Sequence, residues 1–210
     1  DLFVVVAYNN ILPKWLIDLP PYQTLNLHPS LLPLYRGASP IRSAIKDNRP
    51  DAVGASVMLL DEKMDHGPLL AQEAMTFADN TWPVSGLQLD RALAALGGEL
   101  LAEVIPAWVA GEIEPHEQAH EQATYCSKLS RADGELTIDP HHLPAGDEAY
   151  QVLLTIRAFD GFPGTFFRHN GQRVKVLSAH LNDHHLVIDE VVPEGKRPQL
   201  FTHYLSSLDK

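Results

Sequence analysis

The sequence predicts an α/β fold: a parallel sheet with flanking helices, followed by a smaller β-rich piece. Three observations carry this. The chain enters at once a continuous apolar run, Leu2-Phe3-Val4-Val5-Val6-Ala7, of the kind that forms parallel strands buried on both faces. Leu89, Leu93, Leu96, Leu100, Val104 and Trp108 then recur at intervals of three and four, which draws one apolar stripe along a long helix. Finally, Asn170-Gly171 stands between two β-rich runs, a strong hairpin signal.

The elements follow in order. After the first strand, Ile11-Leu12-Pro13 leads into a short helix, Lys14 to Leu19, which Pro20-Pro21 ends. Thr24 to His28 reads as a strand, and Pro29 to Pro40 as a long ordered loop. Ile41 to Lys46 is a short helix with Pro40 near its first position. Val53 to Leu60 is a strand, Asp61 to Pro68 a polar loop, and Leu69 to Phe77 extended again. The long helix runs from about Trp82 to Val109; Pro106 should bend or end its last turn and Gly111 stops it. From 116 to 146 the chain turns polar and irregular, as a linker does. Ala149 to Phe159 is a second helix, and Thr165 to His169, Arg173 to Ala179 and Leu186 to Val192 are strands.

Composition narrows the class. The chain has 210 residues with 45% hydrophobic and 20% charged, a globular balance, and a formal net charge of −11. The acidic balance argues against a general nucleic-acid binder. The single Cys126 excludes an internal disulfide and favours a reducing, cytoplasmic compartment. No unbroken apolar run approaches the roughly 20 residues that span a membrane, and no signal peptide is visible. Opening at Asp1 directly into a buried-type strand predicts a fragment whose upstream part is absent.

Two segments carry chemistry. In Asn26-Leu27-His28-Pro29-Ser30-Leu31-Leu32-Pro33, Asn26 and His28 are two apart at a strand end, so they project to the same side. In open α/β sheets the carboxyl end of a strand is the usual location of ligand sites. An amide beside an imidazole can donate hydrogen bonds to a developing oxyanion. The same spacing also allows Asn26 to cap a turn and His28 to pack as a strand-end residue. The second segment, Asp61-Glu62-Lys63-Met64-Asp65-His66-Gly67-Pro68, follows another strand and should open on the same rim. Asp65 there can act as a general base or hold an imidazolium. Read without His28, the segment is a solvated acidic loop. A zinc site would use Asp65, His66 and His28, but the tight spacing of zinc motifs is absent and no metal is expected. His141-His142 and His184-His185 read as surface histidines. No Walker loop, GxGxxG or GxSxG is present, and nothing assigns Cys126 a base.

In their order and spacing these segments resemble the formyltransferase family that uses 10-formyltetrahydrofolate. The strand Val4 to Tyr8, Ile11-Leu12-Pro13, the Asn26 to Pro33 segment, Tyr35-Arg36-Gly37 and Met64-Asp65-His66-Gly67-Pro68 carry the likeness. Arg36 to Ile41, Tyr125-Cys126-Ser127-Lys128-Leu129, Phe162-Pro163-Gly164 and Pro193 to Pro198 resemble the branch that acts on methionyl-tRNA. The resemblance implies a Rossmann-like catalytic domain at 1–115 lacking its first strands, a linker at 116–146 and an OB-like, β-barrel-like domain at 147–210.

The resemblance further implies a reaction: transfer of a formyl group from 10-formyltetrahydrofolate to the amino group of initiator methionyl-tRNA. Asn26, His28 and Asp65 take the catalytic positions, with Asp65 keeping His28 charged. Tyr8, Asn10, Leu12, Ser30, Leu31, Leu32, Pro33 and Leu60 would hold the folate. The partners implied are initiator methionyl-tRNA and folate, without metal or membrane, and the protein is expected to be a monomer. Residues 121–210 hold nine Lys/Arg against twelve Asp/Glu, a weak charge balance for tRNA. The alternatives are a sugar-amine formyltransferase, a formyltetrahydrofolate hydrolase or an inactive folate-binding fragment.

Overall fold

The computed structural model describes residues 1–8, 10–79 and 81–208. The chain divides into two compact units. One comprises Asp1–Ala44, Arg49–Trp82 and Gln88–Lys128, the other Ile45–Asn48, Pro83–Leu87 and Leu129–Lys210. The stretch 116–146, expected as a linker, is thus shared: 116–128 fold with the first unit and 129–146 with the second.

The first unit contains β1 (Phe3–Val6), α1 (Lys14–Ile17), β2 (Thr24–His28), β3 (Arg36–Gly37), most of α2 (Pro40–Lys46), β4 (Gly54–Leu59), β5 (Leu69–Ala74), most of α3 (Gly86–Val109) and β6 (Tyr125–Cys126). Its main sheet has the order β1-β2-β4-β5. β1 and β2 are parallel, whereas β2–β4 and β4–β5 are antiparallel, so the sheet is mixed. The loop of residues 60–68 is too short for a parallel crossover, which needs a dozen residues or more, and it can only turn β4 back on β5. β3 and β6 form a separate parallel pair, Arg36 opposite Tyr125 and Gly37 opposite Cys126.

β2 organises the sheet by alternation. Leu25 and Leu27 enter an apolar cluster with Ala55, Val57, Leu59 and Val104, to which Leu96, Leu100 and Trp108 of α3 add. The opposite face carries Thr24, Asn26 and His28, all buried. β1 departs from expectation. It is an edge strand, and Val4 and Val6 are 41% and 53% exposed, so it is not buried on both faces.

α3 matches the predicted stripe. Pro106 lies inside it, and the helix continues to Val109 before Gly111, at φ +75°, ends it. By length and composition α3 is apolar enough to cross a bilayer. Asp90, Arg91, Glu99 and Glu103 interrupt its apolar residues, so no unbroken apolar run marks it in the sequence. A helix that covers a sheet passes the same test, and α3 packs on the strands as described.

The second unit holds α4 (Gly146–Ala158), β7 (Thr165–His169), β8 (Gln172–Asn182), β9 (His185–Pro193), β10 (Gln199–Leu200) and α5 (Phe201–Leu208). The strands form an antiparallel sheet in the order β10-β9-β8-β7. The order is open: no β7–β10 pairing closes a barrel among the described residues. Asn170 and Gly171, at φ +49° and +76°, make the two-residue turn that pairs His169 with Gln172. Leu153 and Ile156 of α4, Phe167, Val174, Val176, Ile188 and Val191 of the sheet, and Phe201 and Tyr204 of α5 form the core. Phe167 is fully buried there, with its ring edge-on to Phe201 and Tyr204. Phe167→Ala is expected to cost about 3–5 kcal/mol, measured as a lower urea midpoint; a loss below about 1 kcal/mol would show that the core collapses around the cavity.

Candidate active site

The register of β4 decides where Asp65 can go. Because β4 runs antiparallel to β2, its last residues lie beside the start of β2: Leu59 pairs with Leu25, and Leu60 N–H donates to Thr24 O at 2.9 Å. The loop of residues 60–68 therefore leaves at the end of the sheet opposite His28. This overturns the expectation that the loop opens on the same rim as His28. The loop doubles back across the face of β2 that carries Asn26 and His28. The return is pinned by Leu59 N–H on Pro68 O at 2.9 Å and by Gly67, where a Cβ would collide with the Leu59 carbonyl. The site thus lies on the sheet face.

There the structure brings the three residues together. Asn26 Nδ2 donates toward Asp65 Oδ1 at 3.5 Å, and His28 Nδ1 stands 3.6 Å from the same oxygen. The other carboxylate oxygen accepts the Gly37 N–H at 2.7 Å. His28 Nε2 lies 2.9 Å from Tyr35 O. A carbonyl only accepts, so Nε2 carries the hydrogen and Nδ1 is the nitrogen that faces the site. Tyr35 and Asp65 both adopt left-handed backbone, φ +56° and +48°. Such non-glycine conformations persist only where surrounding contacts impose them, and they cluster at functional sites.

Burial is the strongest influence on His28 and holds its pKa below the ordinary imidazole value; Asp65 and the Tyr35 carbonyl pull it upward, and Arg36 pushes it down. Burial therefore favours the neutral imidazole. Asp65, 3.6 Å from Nδ1, favours the charged form as expected, and the desolvation of a residue sealed inside the sheet opposes it.

The expected folate residues are distributed as follows. Tyr8 (55% exposed), the exposed Asn10 and the half-buried Leu12 follow β1, at the same end of the sheet as His28. Ser30 and Leu32 are buried and already engaged. Ser30 Oγ donates to Leu34 O, Ser56 Oγ to Ser30 O, and the Leu32 N–H and carbonyl meet Ser56 and Gln72. Leu31, Pro33 and Leu60 are half-buried. His66 turns away from His28: its Nδ1 lies 2.6 Å from Asp61 Oδ2, and its ring stacks on His120 at 4.1 Å. Among the described residues, no group of three or more His, Cys, Asp or Glu is placed to hold a metal ion.

Sequence reasoning misses Gln118, Tyr35 and the role of Gly37. Gln118 Nε2 donates to the carbonyls of Asp65 and Gly67, while Oε1 accepts from Arg36. No local pattern marks Gln118, whose partners lie 51 to 82 residues away in sequence; Tyr35 and Gly37 stand in a segment that carries the family likeness, but nothing in it assigns them these contacts.

The lowered His28 pKa sets a pH dependence. The unfolded chain takes up this proton near the ordinary value of 6.5, and the folded chain only at lower pH. Below about pH 6.5 the unfolded state binds more protons, so stability falls on acidification and levels off once the folded histidine also titrates. The drop in urea midpoint from pH 7 to pH 5.5 is expected to be smaller in His28→Gln; an equal drop in both proteins would assign the effect to other groups.

Comparison with known proteins places the chain. Residues 1–105 match the formyl transferase family, and residues 143–197 match the C-terminal domain of formyl transferase. The chain is 34% identical over 222 residues to methionyl-tRNA formyltransferase of Roseiflexus castenholzii, covering 94% of this chain and 67% of that protein. It is 40% identical over 179 residues to methionyl-tRNA formyltransferase of Herpetosiphon aurantiacus, covering 85% and 55%. The chain thus spans from about half to two-thirds of the length of the curated relatives it matches. Two solved structures share the fold. Methionyl-tRNA formyltransferase from Clostridium thermocellum has a TM-score of 0.65 at 17% identity, over 90% of this chain and 77% of that one. HypX from Aquifex aeolicus, in complex with tetrahydrofolic acid, has a TM-score of 0.73 at 16% identity, over 100% and 39%. With both parts of the family matched in order along the sequence, this chain belongs to the formyl transferase family.

Proposed function

We propose that the site transfers the formyl group of 10-formyltetrahydrofolate to the amino group of initiator methionyl-tRNA. The observation that carries the reading is the convergence of Asn26, His28 and Asp65 on one buried sheet face. Relatives at 34% and 40% identity named methionyl-tRNA formyltransferase support the choice of acceptor. On this reading the protein acts in the cytoplasm as a monomer.

The residues divide the chemistry by what each atom can donate or accept. An amide has two N–H hydrogens; one of Asn26's is directed at Asp65 and the other serves the formyl oxygen as it gains charge. His28 is neutral and its Nε2–H is held by Tyr35 O, so the Nδ1 lone pair accepts the proton that the attacking amine must lose. The imidazolium formed in that step has Asp65 3.6 Å from Nδ1, and it gives the proton to N10 of the folate as the tetrahedral intermediate collapses and the N10–formyl bond breaks, releasing tetrahydrofolate and the formylated amine. Asp65 thereby favours proton uptake at the moment of transfer, although burial keeps the resting ring neutral. The folate would rest against Tyr8, Asn10, Leu12, Leu31, Pro33 and Leu60. Ser30 and Leu32, with their polar groups already bonded, serve as the wall that shapes it. The amide thus serves the formyl oxygen and the imidazole the amine proton, and nothing in this step requires a charged metal.

The test is formyl transfer from 10-formyltetrahydrofolate to charged initiator methionyl-tRNA by the protein expressed from its complete reading frame. Asn26→Ala and His28→Ala are each expected to lower kcat by about 10²–10³-fold with the fold retained. Transfer by both variants at the wild-type rate would refute the assignment. Turnover with an amino sugar, and none with tRNA, would give the protein to the sugar-amine branch while leaving the three residues in place.

A further inference from the structure

We propose that Gln118 is a positioning residue of the site, holding the backbone of residues 65–67 so that the Asp65 carboxylate reaches Gly37, Asn26 and His28. The proposal rests on the functional reading only for what Asp65 does in the reaction. Gln118 is 4% exposed and uses every hydrogen-bonding capacity of its amide. Nε2 donates to Asp65 O at 3.0 Å and to Gly67 O at 2.7 Å. Oε1 accepts from Arg36 Nε at 3.2 Å and Arg36 Nη2 at 2.7 Å. A guanidinium only donates and a carbonyl only accepts, so the amide can sit in this orientation alone.

Arg36 is the root of the arrangement. It is 1% exposed, and besides Gln118 it meets His120 Nδ1 at 2.9 Å and the Tyr125 hydroxyl at 3.2 Å. It lies in β3, next to Gly37, whose N–H donates to Asp65 Oδ2. β3 therefore grips Asp65 twice, at the carboxylate through Gly37 and at the carbonyl through Arg36 and Gln118. The second grip has a clear purpose. Asp65 is left-handed, a conformation that costs an ordinary residue roughly 1–2 kcal/mol. Without donors for its carbonyl and that of Gly67, the loop would relax and carry the carboxylate away.

A residue present only to satisfy Arg36 could be a glutamate; a residue present to position the loop could not. Gln118→Glu keeps an acceptor for Arg36 and adds its charge, but it removes both donors and turns an anionic oxygen toward two carbonyls. The readout independent of activity is hydrogen exchange at the Gly37 amide, whose acceptor is Asp65. Arg36 N–H on Thr124 O and Ala38 N–H on Cys126 O report the β3–β6 pairing and serve as controls. In Gln118→Glu we expect Gly37 exchange to rise at least tenfold, toward that of Asp65→Ala, with the two control amides unchanged. We also expect kcat to fall about 10²-fold with KM little altered, as for a misplaced catalytic group. Gln118→Met, neutral and of similar length, should show the same exchange pattern if the glutamate variant fails to fold. Wild-type protection of Gly37 in a folded variant would overturn the proposal. Exchange that rises in a protein whose wild type transfers no formyl group would sustain the positioning role and defeat the functional reading instead.

Discussion

The alternation of β2 is the constraint from which the rest of the first unit follows. Every second residue, Leu25 and Leu27, enters the apolar cluster shared with α3, and that burial fixes the rotation of the strand. Thr24, Asn26 and His28 are thereby driven to the other face. A slip of one residue would bury the polar set among leucines. The polar face is still sealed from water, so each polar group there needs a partner, and the loops that cross it supply them. The Tyr35 carbonyl satisfies His28, Asp65 meets Asn26, and Ser56 and Gln72 bind the backbone of 30–32.

Much of this was legible in the sequence, and the boundary between what was and what was not has a physical cause. Thr24 to His28 is a strand because its apolar residues alternate, and Asn170-Gly171 is a tight turn because both residues accept positive φ. Such signals are local. The three candidate site residues were legible as a set through their family spacing, and the first two through period-two geometry alone. The direction of β4 was not. A strand read in isolation has no direction relative to its neighbour, so the loop after it was expected on the wrong rim.

The β3–β6 pair lies furthest from sequence-level reasoning. Two residues are too few to show a period, and their partners are remote: Arg36 lies opposite Tyr125. Yet this pair brings Gln118, His120 and Tyr125 to Arg36 and gives the buried guanidinium its acceptors. An uncompensated guanidinium in that position would be costly, so the polar cluster holds as a group or not at all. The charge on Arg36 also reaches His28, where it adds to the effect of burial in favouring the neutral ring.

The separation in sequence between these contacts has a consequence for how the molecule comes into being. Chain ordering pays for long closures before their contacts form, and late-made contacts follow the slowest closures. A nascent chain released as far as Val109 already contains Asn26, His28 and Asp65, the sheet beneath them and the helix that covers it. It lacks the whole of β6 and the glutamine that meets the loop. During synthesis the strands and helix that carry the polar face are thus made before Gln118 is, and its hold on the Asp65 loop forms only when the segment beyond α3 returns to β3.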